Sequence, residues 1–145
     1  MAEKARILVV ANRTAMCGEL RQAMQERAAE GPAEFVLLVP ATAHGASRAM
    51  DPYSEMGEAS SQEERAMQAM RDDGLDVVEG RVGDPDPLAA VEDELNLHGP
   101  YDEIVVSTLP THLSKWLKLD LPHKVEGLTD KPVRHVVGQE VKSPA

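Results

Sequence analysis

The run RILVVA, residues 6–11, predicts a β-strand covered on both faces, because it is short, continuous and rich in β-branched side chains. The same pattern recurs along the chain. The other predicted strands are EFVLLVP at 34–40, LDVVEGRV at 75–82, DEIVVS at 102–107 and PVRHVV at 132–137. The third strand in chain order is more polar than the rest, which is typical of a strand at the edge of a sheet.

Helices are predicted between these strands. Apolar residues at helical spacing indicate the first helix over 14–29. Ser61 and Glu64 have the spacing of a capping box, so a second helix is predicted to begin at Ser61 and to end at Gly74. Residues 41–60 show no periodicity and are rich in small residues, so they are predicted to form a long flexible loop.

The second half of the chain repeats the alternation of helix and strand. GDPDPLAAVEDEL at 83–95 predicts a helix with aspartate caps and a proline in its first turn. THLSKWLK at 111–118 and LPHKVEGL at 121–128 predict one helix or two short ones, with a break near Pro122. Strands that alternate with helices indicate a parallel sheet with helices on both faces.

Length and composition fit one domain and exclude several classes of partner. A chain of 145 residues with 42% apolar residues can form its own core, so residues 1–145 are predicted to be a single domain with a frayed tail at 138–145. The net charge of −10 repels a phosphate backbone and argues against nucleic acid as a partner. The apolar runs are too short to span a membrane, which favours the cytoplasm.

Three segments carry a resemblance to a known family. They are GDPDPLAAV at 83–91, DEIVVSTLP at 102–110 and PVRHVV at 132–137. With five strand-helix units in this length, the chain resembles the universal stress protein family. The resemblance implies a three-layer α/β/α fold with five parallel strands in the order 3-2-1-4-5. It also implies a homodimer and, in the nucleotide-binding members, ATP between the ends of the first and fourth strands.

The chain departs from the motif of the ATP-binding members. Those members have an aspartate at the end of the first strand, where this chain has Asn12. They also have a glycine-rich turn after the fourth strand, where this chain has Pro110, which has no N–H to donate to a phosphate. A Gly-Ser or Gly-Thr pair of the family corresponds approximately to Leu119-Asp120, and a carboxylate there opposes a triphosphate. The sequence therefore predicts a member that does not bind ATP in the usual way.

A candidate binding site is predicted where the strand order reverses, beyond the carboxyl ends of the first and fourth strands. Hydroxyl, amide and cationic side chains from both strand ends could hold one small anionic ligand there. The candidate residues are Asn12, Arg13, Thr14, Ser107, Thr108, Thr111, Ser114 and Lys115. The alternative is structural: the hydroxyl groups cap helices and Arg13 is solvated.

No catalytic residue, metal site or cofactor is predicted. The five histidines are scattered, and of them only His112 and His123 could approach each other and Asp120, more readily as a surface ion pair than as metal ligands. Cys17 lies near the start of the first helix and is predicted to be a buried small apolar residue. Ser107 is in no GxSxG elbow, and neither GxGxxG nor a phosphate-binding P-loop motif is present.

These observations favour a non-catalytic regulatory or stress-related protein that forms a homodimer through the fifth strand. An edge strand with apolar residues must be covered or paired. One alternative is an altered nucleotide-binding or slowly ATP-hydrolysing member that uses Asn12, Thr108, Ser114 and Lys115. Another is an interaction module that binds proteins through the edge of the fifth strand and Trp116.

Overall fold

The structure is a computed structural model that describes residues 4–12, 14–41, 52–110, 115–118 and 120–138, with the backbone alone at 52–60, 115 and 118. Its centre is a sheet of five parallel strands. The strands are β1 (Ala5–Val10), β2 (Ala33–Pro40), β3 (Val77–Gly83), β4 (Glu103–Thr108) and β5 (Val133–Val137). Their order is β3-β2-β1-β4-β5. The predicted sheet order is confirmed, and β3 is at an edge as its polar sequence predicts.

The described residues form five helices beside the sheet. They are α1 (Gly18–Glu30), α2 (Pro52–Asp72), α3 (Pro87–His98), α4 (Lys115–Lys118) and α5 (Leu121–Glu126). Successive residues of a strand point to opposite faces, so alternate residues of the central strands contribute to two separate cores. Ile7 and Val9 pack with α1 and α2, whereas Leu8 and Val10 pack with α3 and α5. The continuous apolar run of β1 is explained by this burial on both faces.

The predicted loop over 41–60 is wrong in its second part. Helix α2 begins at Pro52 and not at Ser61, and residues 42–51 lie outside the described part of the chain. Proline is favoured in the first turn of a helix because its missing N–H has no helical partner there. Residues 52–60 lack an apolar stripe, but glutamate, methionine and alanine still favour a helix, and periodicity alone does not detect this.

Three boundaries refine the predictions. Helix α1 begins at Gly18, after turns at 14–17, and not at Thr14. The last helical segment is two helices, separated at Asp120, whose φ of 57° lies in the left-handed region. Gly138 is buried and its N–H donates to the carbonyl of Thr108 at 2.9 Å. The predicted frayed tail therefore does not include Gly138, and the rest of it lies outside the described residues.

Within the described residues, no helix has both the length and the apolar character that crossing a bilayer requires.

Candidate functional site

The strand order reverses between β1 and β4, which are neighbours in the sheet although β2 and β3 lie between them in the chain. In open parallel sheets the ligand crevice lies beyond the carboxyl ends of the strands at this point. Val10 of β1 pairs with Val106 of β4, so the residues that follow both strands meet at one edge. We call the space beyond these two strand ends the crevice.

Thr14 and Ser107 meet in the crevice, as the sequence predicts. Their hydroxyl oxygens lie 2.6 Å apart, and either can donate the hydrogen bond. Each residue is only 1% exposed. The two hydroxyl groups therefore bind each other and are turned away from solvent.

Asn12 is also engaged within the chain. Its side-chain amide donates to the carbonyl of Pro40 at 2.7 Å, which joins the ends of β1 and β2. Its own carbonyl accepts the N–H of Ala15 at 3.1 Å and the side-chain amide of Gln62, which comes from α2. Both lone pairs of the Asn12 carbonyl are thus used by the protein. Gln62 was given no role in the sequence analysis.

Thr108 binds β5. Its hydroxyl lies 2.7 Å from Nε2 of His135 and donates to the carbonyl of Leu109 at 2.9 Å. A consistent arrangement has the imidazole N–H donating to Thr108 while Thr108 donates to Leu109. Burial lowers the pKa of His135 below its usual value, because the charged ring is less well solvated there. Sequence reasoning gave His135 no role.

Cys17 is a buried cap and not a reactive thiol. It is the N-cap of α1, and its sulfur accepts the N–H of Leu20 at 3.4 Å. A Cβ on Gly138 would collide with this sulfur, which shows how closely the end of β5 covers it. Burial raises the pKa of the thiol and outweighs the opposite effect of the Leu20 hydrogen bond. The thiolate is disfavoured, in agreement with the predicted apolar role.

The remaining predicted site residues cannot be placed in the crevice. Arg13, Thr111 and Ser114 lie outside the described residues, and Lys115 is described by its backbone alone, as the first residue of α4. Their part in binding an anion stays a prediction.

A second polar cluster, away from the crevice, links α3 to the sheet. Glu94 of α3 is buried and accepts two hydrogen bonds at 2.9 Å from Arg81 of β3. Tyr101 donates to the same carboxylate at 2.5 Å, and the guanidinium of Arg6 lies 4.7 Å from the Tyr101 ring centroid. Burial raises the pKa of Glu94, but the hydrogen bonds from Arg81 and Tyr101 outweigh it and leave the pKa below its usual value. The cluster holds α3 against the sheet.

Trp116 and His123 are the other residues to which the sequence analysis gave a role. Trp116 is half-buried and packs against the core cluster of α3 and α5. His123 lies 3.1 Å from Asp120 in an exposed pair, whereas His112 is outside the described residues. Across the residues with described side chains, no three His, Cys, Asp or Glu are grouped so that they could hold a metal ion.

Comparisons with solved structures define the fold class. A universal stress protein from Archaeoglobus fulgidus is 18% identical, with a TM-score of 0.60 over 91% of this chain and 93% of that one. A universal stress protein in complex with cAMP is 17% identical, with a TM-score of 0.57 over 97% of this chain and 100% of that one. The Archaeoglobus fulgidus protein in complex with dAMP is 20% identical, with a TM-score of 0.53 over 94% and 99%.

Neither a protein-family model nor a curated protein sequence matches the chain. The similarity to these solved structures shows that the protein has the universal stress protein fold, and the order of its strands agrees with this.

Proposed function

We propose that the protein is a non-catalytic, regulatory or stress-related domain of the cytoplasm that does not bind ATP in the way of the family's ATP-binding members. The main support for this proposal is that polar groups in the crevice already have hydrogen-bond partners within the protein. Thr14 and Ser107 bind each other, and the Asn12 carbonyl is occupied by Ala15 and Gln62. A ligand gains little from polar groups that already have partners, because each hydrogen bond it makes replaces an existing one.

The sequence after β4 supports the same proposal. Pro110 has no N–H for a phosphate, and Asp120 brings a negative charge to the approximate position of a family Gly-Ser pair. The left-handed backbone of Asp120 is one that glycine adopts without strain.

The ligand we propose is one small anion and not a triphosphate. Arg13 and Lys115 supply the cations among the predicted site residues, and Thr111 and Ser114 supply hydroxyl groups between β4 and α4. Such a set suits a single phosphate-sized group, for which a few donors and one or two cations suffice.

Isothermal titration with ATP, AMP and inorganic phosphate tests the proposal on the whole protein. We expect ATP to bind no more tightly than phosphate. Asp120→Asn keeps a residue that tolerates the left-handed backbone and removes the charge, so it should tighten ATP binding. Asp130→Asn makes the same charge change at an exposed position and is the matched control. Submicromolar affinity of the unmodified protein for ATP would overturn the proposal.

A second candidate is an altered nucleotide-binding member. It is favoured by the two similar structures determined in complex with cAMP and dAMP. In this case Asn12, Thr108, Ser114 and Lys115 bind the nucleotide. Slow ATP turnover that is abolished by Lys115→Ala would favour this candidate over the first.

We also propose that the protein forms a homodimer through β5. The support is that β5 is at an edge of the sheet and that Val137 on it is 47% exposed. An edge strand with apolar residues is a site for pairing with another strand. Light scattering that shows only monomer would contradict this part of the proposal. The alternative of an interaction module has less support from Trp116, because this side chain packs against the protein's own core.

A further inference from the structure

Helix α2 carries a polar side chain in line with its buried stripe. Ala66 and Met70 are fully buried against the sheet, and Gln62 precedes Ala66 by one turn. Residues four apart lie on one face of a helix, so Gln62 also faces the sheet. Because a crossover helix runs antiparallel to the strands, this earlier turn lies near their carboxyl ends, where the crevice is.

The contact that Gln62 makes is with the crevice itself. Its side-chain amide donates to the carbonyl of Asn12, the first residue after β1. Gln62 is half-buried, so this hydrogen bond is partly shielded from water. A carboxamide therefore covers an acceptor at the point where the strand order reverses.

The C-terminal end of α2, more than two turns after Gln62, is attached to two neighbouring elements. Asp73, just after the helix, accepts two hydrogen bonds from Arg21 of α1, at 2.5 Å and 2.7 Å. Arg71 donates to the carbonyl of Val77 at 2.9 Å, which ties the end of α2 to β3. Gln62 thus extends from a packed helix, and its side chain can rotate away while the backbone stays in place.

We propose that Gln62 is a built-in plug that competes with any ligand for the crevice. This inference rests on the proposed function, because it specifies how the same site is regulated. A ligand that enters must displace the Gln62 amide, and it replaces the lost hydrogen bond only if it supplies its own N–H or O–H donor to the Asn12 carbonyl, which keeps the N–H of Ala15. The binding-competent fraction of the protein is the fraction in which Gln62 has rotated away.

Titration with AMP tests the plug, because AMP carries both an amino group and a phosphate. We expect Gln62→Ala to bind AMP about threefold to tenfold more tightly than the unmodified protein, the bias that one net hydrogen bond produces. Gln68→Ala is the matched control. Gln68 is exposed on the same helix and donates to Asp72, so its removal should leave the affinity unchanged. Circular dichroism and a thermal melt establish that each variant is folded.

An affinity of Gln62→Ala equal to or weaker than that of the unmodified protein would overturn the plug, and so would the absence of AMP binding in both. Side-chain amide exchange measured by NMR gives an independent result. The Gln62 amide protons should exchange more slowly than those of Gln68, and equal rates would also overturn the plug. Submicromolar ATP binding by the unmodified protein would contradict the proposed function and not the plug. The ratio of the AMP affinities of Gln62→Ala and the unmodified protein would still test the plug.

Discussion

The two edges of the sheet are built differently. At the β3 edge, Val36 of β2 pairs with Glu79 while Phe35 pairs with Val77, so Val78 is an extra residue in a β-bulge. Val78 is 40% exposed, and Arg81 on the same strand forms ion pairs with Glu79 and Glu94. Bulges and charged side chains are devices by which proteins prevent an edge strand from pairing with another chain.

The β5 edge has no bulge along its pairing with β4, although it carries the exposed, charged Arg134. Its register is continuous from Ile104 opposite Val133 to Thr108 opposite Val137. Its outer residues include the exposed Val137. An edge with a regular register can pair with a second strand more easily than an edge that a bulge interrupts. This difference in register favours the proposed dimerisation through β5.

The largest expected effect is on the β3 edge. Glu94→Ala leaves Arg81 and the Tyr101 hydroxyl without their buried acceptor and should lower the free energy of unfolding by about 3–5 kcal/mol. Glu79, the other carboxylate partner of Arg81, is 51% exposed. Glu79→Ala should therefore lower the free energy of unfolding by less than about 1 kcal/mol. Urea unfolding measures both values. Equal losses would show that the buried pair does not hold this edge.

The next effect is on association. Val137→Lys places a charge on the β5 edge of each copy and should weaken the proposed dimer by about tenfold or more, because the charge would lose its water when the edge is covered. Val78→Lys makes the same change at a residue of similar exposure on β3 and should leave the dimer unchanged. Analytical ultracentrifugation measures the dissociation constants. A dimer that is weakened by Val78→Lys and not by Val137→Lys would reverse the comparison.

A smaller effect tests how closely α3 packs on β3. A Cβ on Gly83 would lie 2.9 Å from the Cβ of Ala90 on α3, and a helix backbone cannot yield as a long side chain can. Gly83→Ala should therefore destabilise the protein by about 1–3 kcal/mol in thermal or urea unfolding. Gly31→Ala is the control, since a Cβ there meets nothing within 4 Å. A neutral Gly83→Ala variant would indicate looser packing at this edge.

The smallest effect concerns pH at the β5 edge. Because the pKa of His135 is lowered in the folded protein, the unfolded chain takes up the proton first as the pH falls. Stability should therefore decrease as the pH drops through about 6.5 towards the lower folded pKa, by less than about 1 kcal/mol because the ring is partly exposed. NMR titration of the imidazole measures the pKa. A midpoint above 6.5 would contradict this prediction, and His135→Gln should remove the pH dependence.

Much of the fold could be predicted from local sequence. A strand buried on both faces must be apolar at consecutive positions, so β1, β2 and β4 are visible as continuous runs. The start of α2 was not visible, because residues 52–60 have helical propensity without an apolar stripe. Asp120 shows the same limit: its left-handed backbone is unusual for a residue with a side chain, and no local pattern indicates it.

The site was predictable only in part. That Thr14 and Ser107 meet follows from the rule that parallel strands end at one edge of the sheet. The role of Gln62 depends on the rotation of α2 against the sheet, and a glutamine on a helix normally indicates a solvent-facing position. Its spacing from Ala66 and Met70 was the available signal. The bond between His135 and Thr108 joins residues 27 apart in the chain and depends on the register of β5.

The buried thiol of Cys17, next to Gly138, can be used as a chemical probe of opening at the end of β5. The N–H of Gly138 donates to the carbonyl of Thr108, and Gly138 packs closely against the buried sulfur of Cys17. Alkylation of this thiol by a maleimide must wait for such an opening event. The rate of labelling therefore measures how often the end of β5 separates from the core. A partner strand bound to β5 would lower this rate.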